Sequence, residues 1–402
     1  MTVATSTAPG TRPGIVLFAL AMGGFAIGTT EFATMSLLPY MAAGLGIDEA
    51  KASHLVSAYA LGVVVGAPMI AIVAARIERR MLLVGLMAMF CLTHILSAIA
   101  PNYTAMLAAR FLSGMPHGAY FGVAALLAAS LAGPGQRGKA VARLMLGLTI
   151  ATVVGVPMAN VLGQTVGWRW AFALVGVLAA STAGLILIFA PKSAAGTASN
   201  ALQELGALKN RQVLLTLLSG AIGFGGFFAF YTYLTSTLME VTQVEDSTVP
   251  WFLALMGFGM TLGALIAGWA ADRALNFSVF VMLFINIGLL LIYPLIAGQG
   301  WAMAGLVLAM GLANGFPILL QTRLMDVARD AQALAAALHH AAFNVANALG
   351  PFLASLYIAR GYGFTSSGYV GAVLTLAGVI LYAITLWDHR RNWRYWPSDK
   401  SA

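Results

Sequence analysis

Apolar stretches long enough to cross a lipid bilayer recur along this chain with short polar breaks between them, and no other feature constrains its fold as strongly. About 20 residues at ~1.5 Å rise span the ~30 Å hydrocarbon core. Such stretches lie at about 15–40, 53–75, 81–100, 103–131, 140–163 and 169–190, then at 213–238, 248–271, 278–297, 300–322, 332–358 and 366–387. They are spans 1 to 12 below. The expected fold is an all-α membrane protein. Backbone groups in hydrocarbon must bond within their own segment, and a helix achieves this alone. Composition agrees: 60% of the 402 residues are hydrophobic and 8% charged, against roughly 25% charged in soluble domains. The first apolar run, from Ile15 to about Met41, exceeds the ~7–15 residues of a signal-peptide core.

The break at 191–212 is rich in Ala, Ser, Asn and Lys and divides the spans six and six. The expected organisation is a six-helix bundle at 1–190, a linker at 191–212, a second bundle at 213–387 and a tail at 388–402. The halves look like copies. Gly66-Ala67 matches Gly263-Ala264, Gly114-x-Pro116 matches Gly315-x-Pro317, Gly23-Gly24-Phe25 matches Gly225-Gly226-Phe227, and Gly155-x-Pro157 resembles Gly350-Pro351. Two parallel six-span repeats are a transporter architecture. Pro116 and Pro351 are expected to kink the long spans 4 and 11.

Orientation follows from Lys and Arg in the short loops. With the N-terminus inside, seventeen of the 21 fall on the inner side. Lys51, Arg169 and Arg360 fall outside, and Arg110 lies within the membrane. A multi-pass protein of the inner membrane with both termini cytoplasmic is expected. Topology explains the net charge of +8, so no nucleic-acid partner is implied. The one cysteine excludes an intrachain disulfide or CxxC site. No phosphate-binding G-x-x-x-x-G-K-[ST], H-E-x-x-H metal site or G-x-S-x-G elbow occurs. Neither an enzyme nor a bound cofactor or metal is expected.

These motifs resemble the major facilitator superfamily, and within it the twelve-span drug:proton antiporters that include sugar, nucleoside and chloramphenicol exporters. The family's G-x-x-x-D-R-x-G-R-K/R loop is partly kept as Gly268 to Asp272-Arg273. The first half has Arg76, Arg79 and Arg80, but Ala71 and Ala75 replace the Gly and Asp. Span 4 carries R-x-x-x-G as Arg110 to Gly114. Span 5 carries Gly155, Pro157, Gly163, Trp168 and Arg169, similar to the antiporter motif. The resemblance implies proton-coupled efflux of small amphipathic molecules or drugs by alternating access, in a monomer. The alternatives are a facilitator or importer of sugar-like solutes, and a membrane sensor that does not transport.

Glu31 and Arg110 are the clearest ionisable residues at membrane depth. Such residues normally face a protein interior or wet cavity and mark an ion or substrate path. Burial and a nearby guanidinium together set a carboxyl's protonation. The pair is either a proton-coupling site or a fixed ion pair locking span 1 to span 4. The family resemblance implies the former. His117, seven residues beyond Arg110, could relay a proton, bond substrate or simply bond a neighbouring helix. His94 lies in an apolar span, and no role is assigned to it. His340, Asn344 and Asn347 form a stripe at helical spacing. Tyr231 and Tyr233 in span 7 and Asn314 in span 10 are candidate substrate contacts, against the alternative of interhelical packing; Tyr233 takes the place of Glu31 in the repeat register. Arg76, Asp272, Arg273, Gly155 and Pro157 are candidate gating residues. Gly155, Pro157 and Gly163 are expected to seat span 5 against a neighbour in the opposite half, because small residues allow close helix approach in membranes. Asp272→Asn should shift the population towards inward-open states. Spin-label distances across the cytoplasmic face read this, and unchanged distributions would count against a gate there.

Overall fold

The computed structural model describes residues 13–74, 77–132, 136–192, 210–328 and 332–392. Arg76, most of the linker 191–212 and the end of the tail lie outside them. Every long element among the described residues is a helix. Ten helical stretches are apolar and long enough to cross a membrane, and two of them, Lys139–Phe189 and Asp246–Ile296, run to 51 residues. At ~1.5 Å per residue each would reach about 77 Å, twice what one crossing needs. Each is a pair of spans turned at one residue. Gly167 breaks the first with φ +117°, a conformation only glycine adopts readily. Ala274 breaks the second with φ −154° and ψ 60°. The chain is therefore the expected twelve-helix membrane protein.

Several spans are interrupted. Span 1 runs as Pro13–Ser36, turns at Leu37 and resumes as Leu38–Leu45 with Pro39 in its first turn. Proline suits that place because its missing N–H has no partner there anyway. Span 10 breaks at Asn314 and Gly315, between Gly300–Ala313 and Phe316–Ala328. Span 5 widens twice, at Ala151–Gly155 and Gly163–Gly167; the first is closed by a bond from the Val156 N–H to the Ala151 carbonyl, five residues back. Single wide turns of this kind are frequent at functional sites. By contrast, Tyr103–Leu131 and Gln332–Ile358 stay helical through Pro116 and Pro351.

The chain divides into two compact units. One holds the first six spans together with Val244–Phe258, and the other holds the rest of the second half from Gly259 onward, with span 7. In the first unit, span 1 is buried on nearly every side, as expected for a helix that is apolar all round. Bulky side chains such as Trp170, Ile188, Trp301 and Leu295 stand exposed. On a soluble protein such patches would be a liability; here they suit lipid.

Glycines set the closest helix contacts, and they do so in the same way in both units. A Cβ on Gly114 of span 4 would strike the Tyr59 carbonyl of span 2, and one on Gly62 or Gly66 would strike the Phe111 or Met115 backbone. In the second unit, Gly315 of span 10 meets the Gly263 carbonyl of span 8, and Gly259 and Gly263 meet Leu308 and Leu312. The repeat read from Gly66/Gly263 and Gly114/Gly315 is thus a repeat of packing. One match needs correcting. Gly350 sits against Gly225 and Ala229 of span 7, as Gly147 sits against Ala21 and Phe25 of span 1. Gly147, rather than Gly155, repeats this backbone-to-backbone contact, two residues earlier in register.

The expected seat of span 5 is also corrected. Gly155 faces Thr29 and Phe25, and Gly163 faces Leu37, all of span 1 in the same half. Pro157 is half-buried beside them. Span 5 does touch span 8 in the first unit, but there the small residue belongs to span 8: Gly257 lies against the Thr152 backbone. Asn160 adds a polar tie, donating to the Ser36 carbonyl at 2.9 Å, and Gln164 donates to Asn160 Oδ1 and to the Asp246 carbonyl.

Two glycines of span 4 give a matched test. Gly114→Ala should lower stability by about 1–3 kcal/mol, because the methyl group forces two backbones apart. Gly122 has open space where its Cβ would lie, so Gly122→Ala should change stability by no more than about 0.5 kcal/mol. Thermal unfolding of both variants in detergent checks the difference.

Candidate functional site

The close approach of spans 2 and 4 at Gly114 fixes what lies one turn earlier, at Arg110. Its guanidinium carbon sits 4.3 Å from the centre of the Tyr59 ring and 5.4 Å from that of Phe172. Arg110 has no exposed surface. A desolvated cation over an aromatic face gains about 2 kcal/mol. Its Nη1 donates to Thr30 Oγ1 at 3.1 Å. Its Nε and Nη2 are buried with no hydrogen-bond partner among the described residues. Those two N–H groups form the side-on edge that receives a carboxylate or similar acceptor with two parallel bonds.

Glu31 follows Thr30 directly and is 4% exposed. It lies close enough to act electrostatically on both Arg110 and Tyr59. Its place on span 1 is built by small neighbours, since Gly28 admits Leu148 and Ala151 of span 5. His117 is also buried, and its Nδ1 lies 3.0 Å from the Tyr59 hydroxyl. Tyr59 therefore joins the two span 4 residues: its ring carries Arg110 and its hydroxyl meets His117. The three proton-coupling candidates come together around it within the first unit.

The sequence reading missed Tyr59, Thr30 and His94. His94 is fully buried, with Nε2 2.9 Å from Thr30 Oγ1 and Nδ1 2.7 Å from the Phe90 carbonyl. Its signal was available: a histidine in an apolar span needs a partner, and Arg110 and Glu31 were already expected at that depth.

In the second unit the candidates are more scattered. Tyr231 is buried and stacks on Phe227 with centroids 5.5 Å apart; Tyr233 is buried at the turn in span 7, stacked on Phe364 at 6.1 Å. Asn314 sits at the break of span 10, its side-chain oxygen buried without a hydrogen-bond partner among the described residues. Asn344 spends its amide on the His340 carbonyl of its own helix, at 3.0 Å, while its Oδ1 is likewise unpartnered. His340 is half-buried. His339 beside it lines a small pocket with Thr216, Phe224, Phe316 and Phe343, and the stripe reading passed over it.

Charged groups at one end of this unit form a clamp. Asp388 pairs with Arg211 at 3.1 Å and accepts from Gln212, whose amide oxygen accepts from buried Arg323 at 3.3 Å. These contacts tie the ends of spans 7, 10 and 12. Of the gating candidates, Asp272 and Arg273 are exposed. Arg273 lies over the Trp269 ring at 4.0 Å and donates to the Trp269 carbonyl.

The family model for the Major Facilitator Superfamily matches residues 20–331. The inner membrane transport protein YdhP of Escherichia coli strain K12 is 36% identical over 367 residues, covering 91% of this chain and 94% of its own. A chloramphenicol resistance protein of Streptomyces lividans is 32% identical, covering 90% and 94%. Among solved structures, a bacterial homologue of the human lysosomal transporter Spinster superposes with a TM-score of 0.73 at 14% identity, over 94% of this chain and 98% of that one.

Two substitutions at Tyr59 separate its roles. Tyr59→Phe removes only the hydroxyl contact with His117 and should cost about 1 kcal/mol. Tyr59→Leu also removes the face under Arg110 and should cost about a further 2 kcal/mol. Equilibrium unfolding in detergent measures both.

Proposed function

Given that the chain belongs to the major facilitator superfamily, we propose that it is a proton-coupled exporter of small amphipathic molecules, with Glu31 as the proton carrier and Arg110 as its partner. The observation that carries this reading is the buried cluster in the first unit: an acid at membrane depth beside a guanidinium whose Nε and Nη2 have no bonded acceptor. When Glu31 is ionised, its charge and that of Arg110 balance. The ionised carboxylate can accept a hydrogen bond from a donor group of a substrate, with Arg110 balancing its charge. Taking a proton removes that acceptor and disfavours the substrate. One proton and one substrate thus compete for one carboxylate, which is what antiport requires. His117 is the next proton group along this path, reached through the Tyr59 hydroxyl.

The driving force suffices. Each charge moved down a 100 mV potential supplies about 2.3 kcal/mol, or roughly fiftyfold in concentration. Tyr231, Tyr233, Asn314, His340 and Asn344 supply aromatic faces and spare amide oxygens for an amphipathic substrate, in keeping with sites that are apolar with a few polar groups. Gly155 and Pro157 would act through the wide turn that presses span 5 on span 1. Arg76, Asp272 and Arg273 would gate the inner side. The loop charges support placing both termini in the cytoplasm, and a monomer is sufficient because each proposed group belongs to one chain. The name of the Streptomyces lividans relative makes chloramphenicol the first substrate to try.

The test uses purified protein in proteoliposomes with an imposed pH gradient. The parent should move chloramphenicol against its concentration gradient. Glu31→Gln should lose this pH-driven transport at least tenfold and keep downhill exchange, because the amide holds the shape but cannot release a proton. Full coupled transport by Glu31→Gln would remove the proton from Glu31 and turn attention to His117.

A further inference from the structure

The hydrogen bonds around Thr30 have only one consistent direction. The Phe90 carbonyl can only accept, so His94 Nδ1, 2.7 Å away, carries a proton. Arg110 Nη1 can only donate, so Thr30 Oγ1, 3.1 Å away, accepts from it. The single hydroxyl proton of Thr30 is then left for His94 Nε2, 2.9 Å away, which as the second nitrogen of a neutral ring holds a lone pair. The reverse arrangement, with Nε2 donating to Thr30, needs a second proton on the ring. That would set two buried cations on one hydroxyl oxygen, with both His94 and Arg110 fully buried, a costly placement.

We propose that His94 is a positioning residue for Arg110, acting through Thr30 as a neutral acceptor that holds the guanidinium edge in place. The relay runs from Arg110 to Thr30 to His94 to the Phe90 carbonyl, and links spans 4, 1 and 3. Its far end is rigid. The His94 ring packs on Phe90 with centroids 4.1 Å apart and lies 6.2 Å from Phe172, and Gly176 of span 6 packs beside it. The charged groups facing it are Arg110 from span 4 and, beside Thr30, Glu31 from span 1. Fixing Nη1 on Thr30 fixes the plane of the guanidinium against the Tyr59 ring, and so directs the Nε and Nη2 edge. A histidine serves here better than a serine or glutamine. It is a stiff ring anchored at one nitrogen, so its second nitrogen is held at a set point. The inference relies on the proposed role of Arg110 only for its consequence in transport, not for its geometry.

The experiment is nitrogen NMR on the full chain in lipid nanodiscs at pH 7, with histidine and arginine labelled and His94→Gln used to assign the ring signals. The parent should show His94 with a protonated Nδ1 and an unprotonated Nε2. It should also show two resolved Nη signals for Arg110, because rotation of the guanidinium is halted. Thr30→Ser keeps the hydroxyl and should keep both features. Thr30→Val keeps the shape, removes the relay and should merge the Arg110 signals. His94→Phe should do the same, and where that variant does not fold, Thr30→Val carries the test. A parent ring protonated on Nε2, or Arg110 signals unchanged in Thr30→Val, would overturn the proposal. NMR as expected beside a parent that shows no pH-driven transport would support this inference and count against the proton-coupled reading alone.

Discussion

A guanidinium buried at membrane depth is the costly element of this structure, and much of the first unit can be read as the means of keeping it there. Arg110 has no exposed surface, and a charge in hydrocarbon costs roughly 2.5–3.5 kcal/mol even on the gentlest scale. Three contributions offset this. Tyr59 and Phe172 present their ring faces, Thr30 accepts one N–H, and Glu31 supplies the opposite charge nearby. The partners come from spans 1, 2 and 6, so the charge also fixes how those spans meet span 4. Gly114 makes the arrangement possible by bringing the backbone of span 2 against span 4 one turn away. The spacing R-x-x-x-G therefore has a physical meaning here: the arginine needs an aromatic floor, and the glycine brings that floor close enough.

Span number and extent were legible because spanning length is a hard constraint; span 4 was expected at 103–131 and is helical over Tyr103–Leu131. The internal repeat was legible at glycines where two backbones touch, since no other residue fits there. It misled at Gly155, whose likeness to Gly350 rests on a nearby proline and not on a shared contact; Gly147 repeats that backbone contact two residues earlier in register. The turns within spans 1, 7 and 10 and the wide turns of span 5 were not legible. They replace one hydrogen-bond pattern by another without changing hydropathy.

At the site, charge at depth singled out Glu31 and Arg110, and helical spacing added His117. Thr30, Tyr59 and His94 stayed hidden because threonine, tyrosine and a lone histidine are ordinary residues in membrane helices. What distinguishes them is contact across 58 to 80 positions of chain, as between Tyr59 and His117, His94 and Thr30, and Arg110 and Thr30. In the second unit no buried pair of opposite charge sits at comparable depth among the described residues. Tyr233 takes the place of Glu31 in the repeat register, and there it stacks on Phe364. The two halves share a packing plan and differ in chemistry.

The central claim is that one proton and one substrate compete at Glu31 and Arg110. Proton release on substrate binding tests it without any membrane gradient. Chloramphenicol is added to purified protein in weakly buffered detergent solution, at a pH where Glu31 is partly protonated, and the pH change is followed with an indicator dye. The account predicts a stoichiometric release by the parent and none by Glu31→Gln, although both bind the compound. Equal release by the two proteins, or binding by the parent with no release at any pH, would contradict it.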